Sequence, residues 1–353
     1  DVELVNLFTV FAACVIRDAR LFAMAQQESD GWTSLMAIGR TRTDAEIGEL
    51  GGGGMGQKID SSTPSSGPSN NLNYDNTSES NTTSNPILPS SHKMEGSMLH
   101  RDLSEVTYEQ AQKFLDMNPS KDNVDKLATY DFNIHRFRDG LDADPDELVA
   151  LIFRMFADLG LITALKLEPV RLMKFILGIR LRYRNVPYHS FFHAFDVTQT
   201  MYTMLVCSGL HKKLPPHELL AAIIAAIVHD VDHRGLNNSF HLKAETPMGI
   251  LTNLTGQKAV LEVHHATIAV ELLGSLNIFK SLSQEQRTET YKLIIDAVLA
   301  TDMAGHKEHC ETFEAELAAK GGADLDDPVH RRLLVLMLLK SADISNITKS
   351  FDI

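Results

Sequence analysis

Cysteine is scarce in this chain: Cys14, Cys207 and Cys310 are the only three among 353 residues. They are far apart, odd in number and in no metal-binding spacing, which argues against a disulfide framework or a thiolate metal site. The expectation is reduced, buried thiols in a cytoplasmic protein. Long apolar runs are also missing. The longest is near ten residues, too short to cross a bilayer, and no signal-peptide pattern is present. Positive charge is in deficit: 33 Lys and Arg face 46 Asp and Glu, for a formal net charge of −13. A basic face for nucleic acid is therefore not expected, nor docking on an anionic membrane. An anionic substrate stays open, because a bound metal ion reverses the local field. The chain opens on Asp1 rather than Met, which leads us to expect a piece of a longer protein.

What is present starts with core-forming capacity. The chain is 44% hydrophobic and has room for one large domain or two smaller ones. Residues 3–27 read as one amphipathic helix, with Leu4, Leu7, Phe8, Phe11, Val15 and Leu21 at helical spacing. Its apolar face needs a cover, either an upstream domain or a homodimer through this helix. The ending Asp18-Ala19-Arg20-Leu21 resembles the closing helix of a GAF domain, a small-molecule sensor module. A plain coiled or linker helix is the other reading. Residues 1–47 are accordingly assigned to the helical end of an upstream regulatory region. Residues 48–98 are rich in Gly, Ser, Asn and Thr. Such a stretch buries too little surface to offset its ordering entropy, so a disordered linker is expected.

From about residue 104 the pattern is helical almost throughout. A capping-box spacing at Ser104 and Thr107 opens the first helix. Asp144 as N-cap, Pro145 behind it and Gly160 as a stop frame the next. Further helices are expected over 168–184, 217–230, 261–276, 283–303 and 327–347. No segment sustains a period-two alternation, so the fold class is all-α.

One stretch stands apart: AAIIAAIVHDVDHRG, residues 221–235. Residues 219–228 are apolar all round, which places that helix inside the protein on every side. His229 and Asp230 therefore come at the base of a pocket. Burying carboxylates and imidazoles unpaired is costly, and a metal ion is the usual remedy. Two more clusters match it. His189 and His193 stand at i, i+4, with Asp196 three residues on. The apolar run from Leu333 ends in Asp343. Glu262-Val263-His264-His265 and Thr301-Asp302-Met303 are further polar sets. Taken singly, each has a structural reading: a capping Asp, a surface His pair. Together they order His…His-Asp…Asp along apolar helices. Two imidazoles and two carboxylates make a mixed site suited to Zn²⁺. A shared carboxylate can bridge to a second, harder ion such as Mg²⁺ or Mn²⁺. Two such ions can hold a hydroxide nucleophile and clamp a phosphoryl group. A nearby imidazolium can then protonate the leaving alkoxide.

The order His…His-Asp…Asp resembles the HD-domain metal phosphohydrolases, and the wider pattern resembles the class I cyclic-nucleotide phosphodiesterases. Their Tyr-His-Asn-x-x-His-Ala-x-Asp-Val is met by Tyr188-His189-Ser190-Phe191-Phe192-His193-Ala194-Phe195-Asp196-Val197. Their His-Asp-Val-Asp-His is met unchanged at residues 229–233. Glu262-x-His264-His265, Ala300-Thr301-Asp302-Met303 and Ser341-Ala342-Asp343-Ile344-Ser345-Asn346 complete the match. The resemblance implies a catalytic domain over 99–353 that hydrolyses cAMP, cGMP or both to the 5′-monophosphate. It implies that His193, His229, Asp230 and Asp343 bind the first ion, Zn²⁺, and that Asp230 bridges to the second, Mg²⁺ or Mn²⁺. His233, Glu245 and Thr301 match positions that hold the second ion's waters. His189 matches the general acid for O3′, and Tyr188 a substrate-pocket position. Asp196, His265 and Asp302 match supports of the ligands.

Two departures stand out. The family's Asn after the first His is Ser190 here, which implies altered packing or nucleotide preference. The family's domain also continues past this point, with a Gln and a Phe that hold the purine, so truncation at the C-terminus is expected. Two rival readings are an HD-type phosphohydrolase of another nucleotide and a regulatory module that binds nucleotide without turnover.

Overall fold

The computed structural model describes residues 106–138 and 143–349. Helix 3–27 with its homodimer, the GAF-like ending, linker 48–98 and Cys14 all lie outside the described residues. Among the described residues there are helices and turns and no strand, as the all-α expectation requires.

The chain runs through α1 (Tyr108–Leu115), α2 (Lys121–Lys126), α3 (His135–Arg138), α4 (Glu147–Asp158), α5 (Leu161–Ala164), α6 (Pro169–Arg182) and α7 (Phe191–Cys207). It continues through α8 (Pro216–Val228), α9 (Asn238–Lys243), α10 (Pro247–Thr255), α11 (Val260–Ser275), α12 (Gln284–Ala300), α13 (His306–Lys320) and α14 (Pro328–Asp343). Proline opens α6, α8, α10 and α14, where its missing N–H costs nothing and its fixed φ fits the helix. The capping box of α1 pairs Thr107 with Gln110 rather than starting from Ser104. Helix α4 starts later than Asp144-Pro145 suggested. Asp144 instead closes a turn ahead of it, its Oδ1 accepting from Asp146 N at 2.9 Å. Gly160 does stop α4, in the left-handed conformation at φ +70°.

Helix α8 is the axis of the fold. Every residue from Leu219 to Val228 is at most 2% exposed. Helices α12 and α7 pack along it, and α14, α11 and α5 close the remaining sides. Neighbours on all sides explain why its sequence is apolar all round. Each large aliphatic side chain so buried stabilises the fold by roughly 1.5–3 kcal/mol. Helix α14 is likewise buried from Leu333 to Lys340. Helix α13 was not foreseen; its polar sequence carries almost no apolar period. The thiols differ from expectation: Cys310 is half-buried, but Cys207, the last residue of α7, is exposed.

Candidate metal centre

Three buried helices converge at their ends. Helix α8 ends with His229 as its C-cap, α14 ends on Asp343, and α7 carries His193 in its first turn. Asp230 follows His229 on the loop. The nearest atoms of these four side chains form one cluster. His193 Nε2 lies 3.1 Å from Asp343 Oδ1 and 3.5 Å from Asp230 Oδ2. His229 Nε2 lies 3.2 Å from Asp230 Oδ2, 3.3 Å from Asp343 Oδ1 and 3.3 Å from His193 Nε2. A tetrahedral zinc ion with ligands at about 2.0–2.1 Å sets its donor atoms about 3.3 Å apart. The five distances are those of such a shell.

The tautomer points the same way. His229 Nδ1 donates to Ala226 O at 2.9 Å. A carbonyl only accepts, so the proton of the neutral ring is on Nδ1. Nε2 then turns a bare lone pair toward two carboxylates, an arrangement that needs a cation or a proton between them. Without an ion the proton is recruited. Burial disfavours the His229 imidazolium, but Asp230 and Asp343 outweigh burial and hold the ring well above its ordinary pKa. Burial likewise works against the Asp230 and Asp343 carboxylates, and the neighbouring histidines, His229 foremost, hold both below the usual range.

Asp230 also belongs to a second group. Its carboxylate, His233 and His265 offer donor atoms within 4.8 Å of one another. His265 Nδ1 donates to Val231 O at 2.6 Å, which leaves Nε2 as a bare acceptor. That atom is buried without a hydrogen-bond partner and stands 3.7 Å from Asp230 Oδ1. Two acceptors facing each other fit an ion or its water. Burial keeps both rings neutral, pushing His233 down to about 4 and His265 to about 3.

His189 stacks on His233 with ring centres 3.9 Å apart. Tyr188 lies at the mouth, its ring centre 4.6 Å from that of His193. Burial first, and then Asp343 and Asp230, push its phenol above the ordinary range. Ser190 is the N-cap residue of α7 and makes no side-chain cap bond.

Not every expected residue joins the cluster. Glu245 is exposed in the turn between α9 and α10, outside both donor groups. Glu262, in the first turn of α11, is a half-buried carboxylate that does feel Asp230. Burial pushes it up to about 7, with Asp302 and Asp230 adding to the effect, while Asn238 Nδ2 donates to it at 2.9 Å. Sequence reading noted Glu262 but gave it no role; its place at the head of the Glu-x-His-His element was the available signal. Thr301 is the C-cap of α12 and donates its hydroxyl proton to Val298 O at 2.7 Å, leaving its oxygen free to accept. Asp302 caps the turn Met303–Gly305 through Ala304 N at 3.0 Å. Asp196 belongs to neither donor group and pairs with Lys349, both side chains being buried. Lys349 also stands 5.8 Å from the Tyr130 ring centre. Asp196 thus anchors the segment that follows Asp343.

An all-helical domain with a buried His/Asp centre at the converging ends of its helices defines the class. The comparisons identify the family within it. The sequence profile described as 3′5′-cyclic nucleotide phosphodiesterase matches residues 188–353. The solved structure of LmjPDEB1 in complex with IBMX is 36% identical, with a TM-score of 0.64 over 70% of this chain and 73% of that one. The phosphodiesterase domain of the RhoPDE fusion protein from the choanoflagellate Salpingoeca rosetta is 30% identical, with a TM-score of 0.58 over 68% of this chain and 71% of that one. Among curated proteins, high affinity cGMP-specific 3′,5′-cyclic phosphodiesterase 9A of Mus musculus is 34% identical over 60% of this chain and 39% of its own length. The dual 3′,5′-cyclic-AMP and -GMP phosphodiesterase 11A of Takifugu rubripes is 34% identical over 65% of this chain and 24% of its own. The chain spans less than half the length of these curated relatives. The chain belongs to the 3′5′-cyclic nucleotide phosphodiesterase family. The family is metal-dependent, and the His193, His229, Asp230 and Asp343 cluster is able to hold a metal ion. No described helix is long and apolar enough to cross a membrane.

Proposed function

We propose that this protein hydrolyses the 3′,5′-cyclic phosphodiester of cAMP, cGMP or both to the 5′-nucleoside monophosphate. The observation that carries the reading is the convergence of four donor atoms, with His229 Nδ1 donating to Ala226 O and Nε2 turned toward two carboxylates. In this reading His193, His229, Asp230 and Asp343 hold Zn²⁺, and Asp230 is shared with Mg²⁺ or Mn²⁺. Bound there, such ions supply positive charge against the phosphoryl oxygens and a water acidic enough to attack at neutral pH. The chain's own groups do the rest. His233, His265, Glu262 and Thr301 present acceptors and donors around the second position. Tyr188 walls the mouth against solvent.

His189 holds the proton that the leaving O3′ requires. Burial pushes His189 down, and Asp230 counters it. The phosphodiester anion is the further negative charge that favours the imidazolium once substrate is bound. Asp196 anchors the segment after Asp343 through Lys349, and Asp302 caps the turn that follows Thr301. The cytoplasmic setting belongs to the same proposal and rests on the low cysteine content.

The test is hydrolysis of cAMP and cGMP in Mg²⁺ with trace Zn²⁺, beside His189→Ala and Asp343→Ala. His189→Ala should lower kcat by about 10²–10⁴-fold with ion content unchanged. Asp343→Ala should lose the tight ion. Both ions bound with neither nucleotide turned over would refute the proposal.

A further inference from the structure

We infer that Asp232 is a positioning residue for the end of the site that takes the second divalent ion. The inference rests on the two-ion reading above. Asp232 lies between Asp230 and His233, yet its side chain belongs to neither donor group. Its backbone sits at φ +63°, a left-handed conformation that Asp, Asn and Gly tolerate and most other residues resist. The carboxylate is fully buried. It accepts from Arg184 Nε at 2.5 Å and from His264 Nε2 at 2.8 Å. Arg184 comes from the link between α6 and α7, and His264 from α11.

The loop is gripped in alternation from these same two elements. Tyr183 OH donates to Ile227 O at 2.8 Å and accepts from Asp230 N at 3.3 Å. Arg184, the next residue, holds the Asp232 side chain. His264 holds the same carboxylate, and His265, the next residue, holds Val231 O. The turn closes through His233 N to Asp230 O at 3.0 Å. Asp230 Oδ1 faces His265 Nε2, and His233 comes alongside, only while Asp232 keeps its left-handed backbone. Release of the carboxylate lets the turn relax and separates those three groups. Asp232 acts through the residues on either side of it.

The test measures ion binding on the full chain, with Mn²⁺ alone as the probe. Asp232→Asn keeps the shape and the left-handed tolerance but sets an amide where two donors converge. It should weaken Mn²⁺ at the weaker position by about 10–100-fold and keep the tight ion at wild-type stoichiometry. His264→Leu tests the same clamp with Arg184 still paired, so the inference does not depend on one variant folding. Ile224→Ala, in the core of the axial helix and outside both donor groups, should lower thermal stability and leave Mn²⁺ affinity unchanged. The inference is overturned if Asp232→Asn and His264→Leu bind Mn²⁺ as wild type does. It is overturned too if their loss merely tracks stability as in Ile224→Ala, or if wild type binds a single ion. A wild type that binds two ions but turns over no cyclic nucleotide sinks the proposed function and leaves this test intact.

Discussion

Removing the ions should change how stability depends on pH, not only its size. Free ion at a thousand times its dissociation constant stabilises the fold by about 4 kcal/mol. For a domain of this size that is a melting shift of about 8–16 °C on chelation. The pH dependence comes from His229. In the chelated chain its pKa is raised above the unfolded value near 6.5. A raised histidine contributes stability that is full below the unfolded pKa and is lost as pH rises through the folded one. The ion-loaded chain carries no proton at that nitrogen, so it has none to lose. Asp230 and Asp343 are lowered, stay ionised throughout this window and add no slope. The gap between loaded and chelated chains should therefore widen above pH 6.5, by up to about 1.4 kcal/mol per pH unit. The assay is thermal melting with and without EDTA from pH 6.5 to 8.5. A gap that stays constant or narrows as pH rises would refute the reasoning, and an EDTA-treated chain that melts unchanged would refute the ion site itself.

Other outcomes follow from single side chains. In the chelated chain Glu262 is raised to about 7, so its contribution is lost as pH rises from about 4.5 to 7. Glu262→Gln should gain on wild type over that range by up to about 3 kcal/mol in urea melts; an advantage that does not grow with pH counts against the assignment. Below pH 6.5 both forms should lose stability as pH falls, because His233 and His265 are held neutral at about 4 and about 3 and the unfolded chain binds those protons first. Lys349→Met leaves the Asp196 carboxylate buried without its partner and should cost about 3–5 kcal/mol, and hydrolysis should fall with it because the segment after Asp343 is released. Ile224→Ala in the axial helix should cost about 2–5 kcal/mol, read as a lower urea midpoint with unchanged slope.

Much of the fold was legible because its signals are local. The apolar surround of residues 219–228 announced a helix enclosed on all sides, and α8 is enclosed by five others. The expected starts at residues 168, 217 and 327 fall within one residue of Pro169, Pro216 and Pro328, where α6, α8 and α14 begin. Helix α13 escaped because a polar, edge-lying helix has no apolar period to read. Helix α9, of six residues, is too short for a periodic signal. Cys207 was taken as buried on its composition class alone, whereas exposure depends on which way the end of α7 faces.

By itself the sequence determined the donor chemistry. Histidine and aspartate at the ends of apolar runs specify a mixed nitrogen and oxygen centre, since spacing and residue type are local facts. Tertiary structure decided which atoms meet. His193 and Asp343 are 150 residues apart in the chain and come within 3.1 Å only because α7 and α14 pack together. The tautomers of His229 and His265 are set by the Ala226 and Val231 carbonyls, partners that residue type alone does not reveal. Packing also half-buried Glu262, because α11 packs against the axial helix, while Glu245 is exposed in its turn. The left-handed turn at Asp232 has the same origin: the side chains that hold it come from elements on either side of the loop, and only the packed fold brings them there.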